Sequence, residues 1–406
     1  MNKNIRWSGA LLGTALFVTA SVAQAAVHRV FPGESIQAKI DIAQPGDTIM
    51  VEPGIYYEDA NANGRFGLRI KTDNLRLIGK VKKGRGDAGK VILTPRTPPV
   101  TGGGVQQTGV YVAPDGCTPE NGVGDEFCEA NRLDGFYIRG FTVHGYEWNG
   151  IQTRFVNNFK IIRNETHTLE RNGIYPTISA NGLVANNVSY GTLDTAMWVA
   201  ASENVRVIGN DLSEAPIGLE VNVSVDIEVL QNDVYNNTVG IALFHPNSAG
   251  NDPRPDMGNW VVRQNNVYDN NLPNPAPPNS FQASLPPGVG ILLLGVSDNV
   301  VEKNTVEDND FVGIGVLGWC TAQGFDPVRN CIASPPKTDP RANNNLISQN
   351  KVSRNGTAPP AVPTNFLAAD LTYFDLDGSS GNCFEKNKPK GYTFFSSEGD
   401  LPTDGC

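Results

Sequence analysis

Residues 159–232 read FKIIRNETHTLERNGIYPTISANGLVANNVSYGTLDTAMWVAASENVRVIGNDLSEAPIGLEVNVSVDIEVLQN, and this one stretch decides the fold. Asn164, Asn187 and Asn210 recur at intervals of 23 residues, and Asn232 follows 22 later. Each closes a short run of alternating apolar residues: FKIIRN, GLVANN, VRVIGN, IEVLQN. A second column keeps step, with Gly150-Ile151, Gly173-Ile174, Ala196-Met197, Gly218-Leu219 and Gly240-Ile241. No period has room for a long amphipathic helix, and each holds only short β-branched strands joined by polar turns. Such a unit cannot bury its apolar face alone, so it must stack on its neighbours. In-register stacking at about 4.8 Å puts like residues over like. The asparagines then form a ladder of side-chain amides, and the glycines mark a turn of positive φ or tight approach. A leucine-rich repeat fails because the L-x-x-L-x-L spacing is absent, and a propeller blade needs a period near 40. The expected fold is all-β: a right-handed parallel β-helix with a short N-terminal capping helix.

Outward from this core, the ladder continues to Asn265, Asn304 and Asn350 across wider gaps filled by inserts rich in Pro, Gly and Asn. The regular coils are expected over about 132–355, within one domain spanning 26–406. ESIQAKIDIA at 34–43 has the 3–4 spacing of a helix that would plug the first coil, and TIMVEPGIY supplies the first strand pair. A tail over 383–406 is expected to cap the last coil. Residues 1–25 read as a signal peptide, with Lys3 and Arg6, an apolar run from Leu11 to Ala20, and Ala23-Gln24-Ala25 as the cleavage pattern. The mature chain is expected to be secreted or periplasmic, with no membrane span.

The 32 basic and 42 acidic residues give a net charge of −10, and losing Lys3 and Arg6 lowers it to −12. That argues against nucleic acid as a bulk partner, and an acidic polysaccharide would need a local cluster of positive charge. Six cysteines fall as three close pairs, Cys117/Cys128, Cys320/Cys331 and Cys383/Cys406. Behind an export signal they read as disulfides, neighbour pairing being the simplest of the 15 connectivities. No Cys/His spacing of a metal site is present.

SIQAKIDIAQPGDTIMVEPGIYYE resembles the opening of exported parallel β-helix proteins with carbohydrate-associated β-helix repeats. The stretch quoted above, with NVYDNNLPNPAPP and PPGVGILLL, is similar to a narrower group of exported bacterial β-helix proteins. The resemblance implies relatives that bind or modify polysaccharides, such as pectate lyases and mannuronan epimerases, and more remotely accessory proteins linked to copper enzymes. No lyase or polygalacturonase catalytic motif is intact, so no catalytic residue is carried over.

Two columns carry the candidate chemistry. Strand alternation points Gln152, Tyr175, Trp198, Glu220 and Ala242 outward, beside Arg154, Thr177, Ala200, Asn222 and Phe244. Tyr175 and Trp198 are expected to stack on an exposed sheet, an aromatic platform for sugar rings flanked by Arg154, Glu220 and Asn222. His245 opens an insert that would overhang it, and inserts 245–258 and 271–288 would otherwise cover it as a lid. The second column holds His144 and His167, one period apart, followed by Tyr190, Ser213 and Tyr235. Glu147, Glu170, Arg171 and Asp194 follow a turn later. These could supply a base and charge neutralisation for β-elimination or C5 epimerisation of a uronate, or simply be tolerated turn residues. Paired histidines with Glu147 or Glu170 could also ligate a metal, so a cofactor is not required but calcium or another divalent ion has room. Two functions stand: a polysaccharide-binding protein, as an enzyme a lyase or epimerase; or a non-catalytic scaffold, adhesion or accessory protein with a protein partner.

Overall fold

The computed structural model describes residues 25–58, 65–82, 89–96, 107–244, 257–322, 339–376, 378–403 and 405–406. The expected signal peptide at 1–25 lies outside these residues save for Ala25. Each winding contributes one short strand to each of three walls, here called sheets A, B and C. One winding runs through Val156–Ile162 in sheet A, Glu165–Leu169 in sheet B and Ile174–Thr177 in sheet C, and the next begins at Ala180–Ala185. Among the described residues the sheets hold twelve, ten and eleven strands, paired parallel with their neighbours in the next winding. The result is a parallel β-helix, with sheet membership running from Val27 to Ser396, beyond the 132–355 stretch at both ends.

The register is the one the period requires, with Ile161 paired to Val184, Val184 to Val207 and Val207 to Val229. All four are fully buried in one continuous core with Ile151, Ile174, Met197 and Leu219 of sheet C. Burying each such side chain contributes about 1.5–3 kcal/mol, which only the stack makes available.

The A–B corner is the amide ladder. Asn164 Nδ2 donates to Asn187 Oδ1 (3.1 Å), Asn187 to Asn210 (3.0 Å) and Asn210 to Asn232 (2.9 Å). The line continues through Asn265, Asn304 and Asn350 to Asn387. The residue before each Asn takes a left-handed backbone, for example Arg163 (φ 55), Asn186 (φ 54) and Gln231 (φ 54). The glycine column has a different cause. A Cβ at Gly173 would lie 1.9 Å from Ser189 Oγ and 2.4 Å from the Ala196 carbonyl, so close approach and not positive φ selects glycine there.

Both ends of the stack are covered. The helix Ile36–Ile40 is capped by Ser35, whose side chain accepts from Ala38 N, and by the Glu58 carboxylate at Ile36 N. Its Ile36 and Ile40 join the core with Ala43. Sheet A starts earlier than expected, because Val27–Val30 pairs with Thr48–Val51 before the expected first strand pair. At the other end Phe394–Ser396 extends sheet C beside Ala369–Phe374, and a disulfide joins Cys383 to Cys406. Covering both ends removes the open edges that would otherwise pair with other chains.

Candidate functional site

The outer face of sheet C carries the two expected columns. Gln152 pairs with Tyr175, Trp198 with Glu220 and Glu220 with Ala242. Arg154 pairs with Thr177, Thr177 with Ala200, Ala200 with Asn222 and Asn222 with Phe244. The Tyr175 and Trp198 rings stack with centroids 4.5 Å apart at 13°.

The face is not the exposed sheet that strand alternation suggested. Gln152, Arg154, Glu220 and Asn222 are buried, and Tyr175 and Trp198 are half-buried. The reason lies in the inserts that flank it. A disulfide between Cys117 and Cys128 ties down the insert at 113–131, and its Asn121 carbonyl accepts from Arg154 Nε at 2.8 Å and from Nη2. At the other end Phe281 sets its edge against Phe244 (5.6 Å, 85°), with Leu285 in the same apolar cluster. The insert at 271–288 therefore covers the Ala242–Phe244 region and leaves Tyr175 and Trp198 partly open. His245 and residues 246–256 lie outside the described residues, as does Cys331, the expected partner of Cys320.

The two ends of this face differ electrically. Arg154 is buried over the Phe155 ring (5.6 Å) and forms no ion pair among the described residues. One winding back lies Tyr111, fully buried, whose hydroxyl has no hydrogen-bond partner. Burial pushes the Tyr111 phenol up to about 12, with the Arg154 charge opposing. Toward the other end lie Asp194, Thr195, Glu220 and Asn222. Thr195 Oγ1 is 3.3 Å from Asp194 Oδ1 and 3.2 Å from Glu220 Oε2, and Asn222 Nδ2 donates to Glu220 Oε1 at 3.0 Å. Burial holds the Glu220 carboxyl well above the ordinary range, and the neighbouring Asp194 charge adds to this. Burial raises Asp194 as well, while Arg171 at 3.6 Å opposes. Trp198 Nε1 and Asn222 Oδ1 are buried with no hydrogen-bond partner. Buried polar atoms left unpaired cost about 1–3 kcal/mol each, so such atoms on a cleft wall point to a ligand that pairs them.

The histidine column stands on a different wall. His144 and His167 pair in sheet B, stacked at 4.7 Å and 7°, and Tyr190 continues the stack at 5.0 Å. His167 Nε2 lies 4.0 Å from Glu165, which also binds Lys90 Nζ (2.8 Å) and Tyr190 (3.3 Å). Sheets B and C face different directions, so the expected union of a histidine base with the Arg154, Tyr175 and Trp198 face does not assemble. Glu170 lies at the B–C corner, its carboxyl raised by burial and by Glu147. Arg171 is held between the Trp148 ring (5.9 Å) and Asp194, and so pairs with a protein carboxylate. Among the described residues, the only group of three or more metal-ligating atoms within reach of one another is Cys383, Glu385 and Cys406, whose two sulfurs are already joined.

Sequence reasoning passed over Thr195 and Tyr111. Thr195 follows Asn149 and Asn172 at the same point of successive windings, and that break in the column was its signal.

A family model described as "Right handed beta helix region" matches residues 104–252. Among solved structures, the A-module of the mannuronan C-5 epimerase AlgE6 from Azotobacter vinelandii overlaps with a TM-score of 0.60 at 15% identity, over 89% of this chain and 93% of that one. The AlgE4 A-module from the same organism gives a TM-score of 0.54 at 13% identity, over 89% and 91%. The chain is a right-handed parallel β-helix. At these identities the likeness is one of fold, and no residue role is transferred with it. No curated protein matches this β-helix in sequence.

Proposed function

We propose that this β-helix is an extracytoplasmic protein that binds a polysaccharide along the outer cleft of sheet C, with a uronate-bearing chain as the favoured ligand. One observation carries the reading: the Tyr175–Trp198 stack adjoins a buried Arg154 that has no anionic partner among the described residues, and Trp198 Nε1 and Asn222 Oδ1 have no hydrogen-bond partner among them. Stacked rings suit the C–H face of a sugar, and a sugar hydroxyl reaching the buried Trp198 Nε1 or Asn222 Oδ1 would satisfy it. Arg154 supplies the positive charge that a uronate carboxylate requires, in a chain otherwise strongly acidic. The two disulfides support export. Similar folds include enzymes named for epimerising mannuronan, in keeping with a ligand of this class.

Calorimetry of the chain from residue 26 with polygalacturonate, alginate, hyaluronan and a neutral xylan tests this. Binding to at least one uronate polymer is expected, weakened about tenfold or more in Trp198→Ala, as for a base or sugar stacked on one ring. His144→Ala and His167→Ala should bind as the parent does. A parent that binds none of the four polymers, or a Trp198→Ala variant that binds unchanged, would remove the cleft as the site.

A further inference from the structure

Beyond Glu220 the outer face of sheet C turns from polar to apolar. Its central column runs Glu220, Ala242, Leu292, Gly315 and Thr372, beside Phe244, Leu294, Leu317 and Phe374. Leu285 from the insert at 271–288 and Leu367 from the short helix Asn365–Leu367 pack over this stretch in one apolar cluster. Between them and the wall lies a cavity of about 210 Å³, and none of the described residues lining it is charged. Two of its hydroxyls are already engaged: Ser284 Oγ donates to the Phe281 carbonyl (2.7 Å) and Thr372 Oγ1 to the Leu367 carbonyl (2.8 Å). An enclosed water needs two to four polar partners, so such a space favours hydrocarbon over water. Gly315 enlarges it. A Cβ there would meet Val312, Leu317 and Leu292 at 3.2, 3.3 and 3.5 Å, and all three line the cavity. The lining runs from Val239 through Val289 and Val312 to the winding of Thr372, four successive windings and so about 14 Å. A space of this volume drawn out over that length is long and narrow. It has the shape of a hydrocarbon chain, not of a flat ring.

We propose that this cavity holds the hydrocarbon chain of an acylated saccharide whose sugars lie along the Tyr175–Trp198 face. This names a substrate class for that face and rests on its being the glycan site. Leu292 stands three windings beyond Trp198 in the same column, about 14 Å along the axis, a span that a few linked sugars cover. Ser284 lines the cavity and is also exposed, so it marks the rim where the chain enters. No cation lines the cavity, so a neutral ester or amide link suits the rim better than a free carboxylate. Each methylene buried there should tighten binding about fourfold.

Calorimetry with hexyl, octyl and phenyl β-glucosides below their micelle concentrations, with glucose, and with a galacturonate trimer bare or carrying an octyl ester tests this. The parent should bind octyl glucoside about tenfold more tightly than hexyl glucoside, and glucose not at all. Leu292→Trp, which fills the cavity, and Ser284→Trp, which blocks the rim from an exposed position, should lose octyl glucoside and still bind uronate polymers as the parent does. The esterified trimer should bind more tightly than either octyl glucoside or the bare trimer. Trp198→Ala should lose that gain and keep octyl glucoside. Equal binding of hexyl and octyl glucosides, tighter binding of the phenyl glucoside, or octyl binding unchanged in both filled variants overturns the cavity as a chain site and leaves the glycan reading standing. Octyl glucoside bound with the expected length dependence, but no gain for the esterified trimer, overturns the acylated saccharide. A parent that takes octyl glucoside yet binds no uronate polymer and no trimer overturns the glycan reading, and the acylated saccharide with it.

Discussion

At Thr195 one substitution in a repeating column changes what the column does. Asn149 and Asn172 exchange a hydrogen bond with each other (3.0 Å), whereas Thr195 turns to two acids. The consequence for stability has a definite sign. Glu220 has a folded pKa raised above the ordinary 4.5, so the folded chain keeps a proton that the unfolded chain releases. Its contribution is fully present below about 4.5 and is lost as pH rises through the folded value. Glu220→Gln should therefore raise the melting temperature more at about pH 8 than at about pH 5, and an equal gain at both would contradict a neutral Glu220. The ladder offers a second test. Asn187 accepts from Asn164 N and Nδ2, and donates to Ile161 O and Asn210 Oδ1. Asn187→Ala strands several buried groups at once and should cost about 3 kcal/mol or more in denaturant unfolding. A cost under about 1 kcal/mol would mean that the column is decorative.

Among the elements, the strands and their register were legible because burial imposes the same demand every winding. The spacing of Asn164, Asn187, Asn210 and Asn232 correctly placed the walls, and alternation correctly placed Tyr175 over Trp198. The inserts obey no such period, so nothing in the spacing told that the 113–131 segment would close over Arg154 or that the sheet C face would be buried. Two further amide lines were also missed, Asn237–Asn270–Asn309–Asn355 at the B–C corner and Asn299–Asn345–Asn382 at the C–A corner. Inserts stretch their spacing to 33, 39 and 46 residues, which hides the repeat. The histidine column was legible as a stack, but which wall it faced depended on counting strands per winding. The Cys117–Cys128 insert can be tested as an element. Replacing both cysteines by serine should cost about 2–4 kcal/mol by the usual loop-entropy argument, and should weaken glycan binding by loosening the wall that holds Arg154. Unchanged binding in the reduced-stability variant would separate the insert from the cleft.

Over the whole molecule, the core, the ladders and the cleft all follow from one translation repeated along a single axis. From the winding of Asn164 to that of Asn387 the A–B corner carries no long insert, because these asparagines stay in line, whereas the other two corners carry the long inserts of these windings. The proposed glycan-binding face is the wall between those two corners. The main ladder also has a sense of direction. Every side chain from Asn164 to Asn350 donates toward the C-terminal winding, the first carbonyl accepts from Phe141 N, and the last amide ends on the Ile347 carbonyl. Neutral side chains thereby line up like magnets in a row, and the amide column has a direction along the axis without adding any charge.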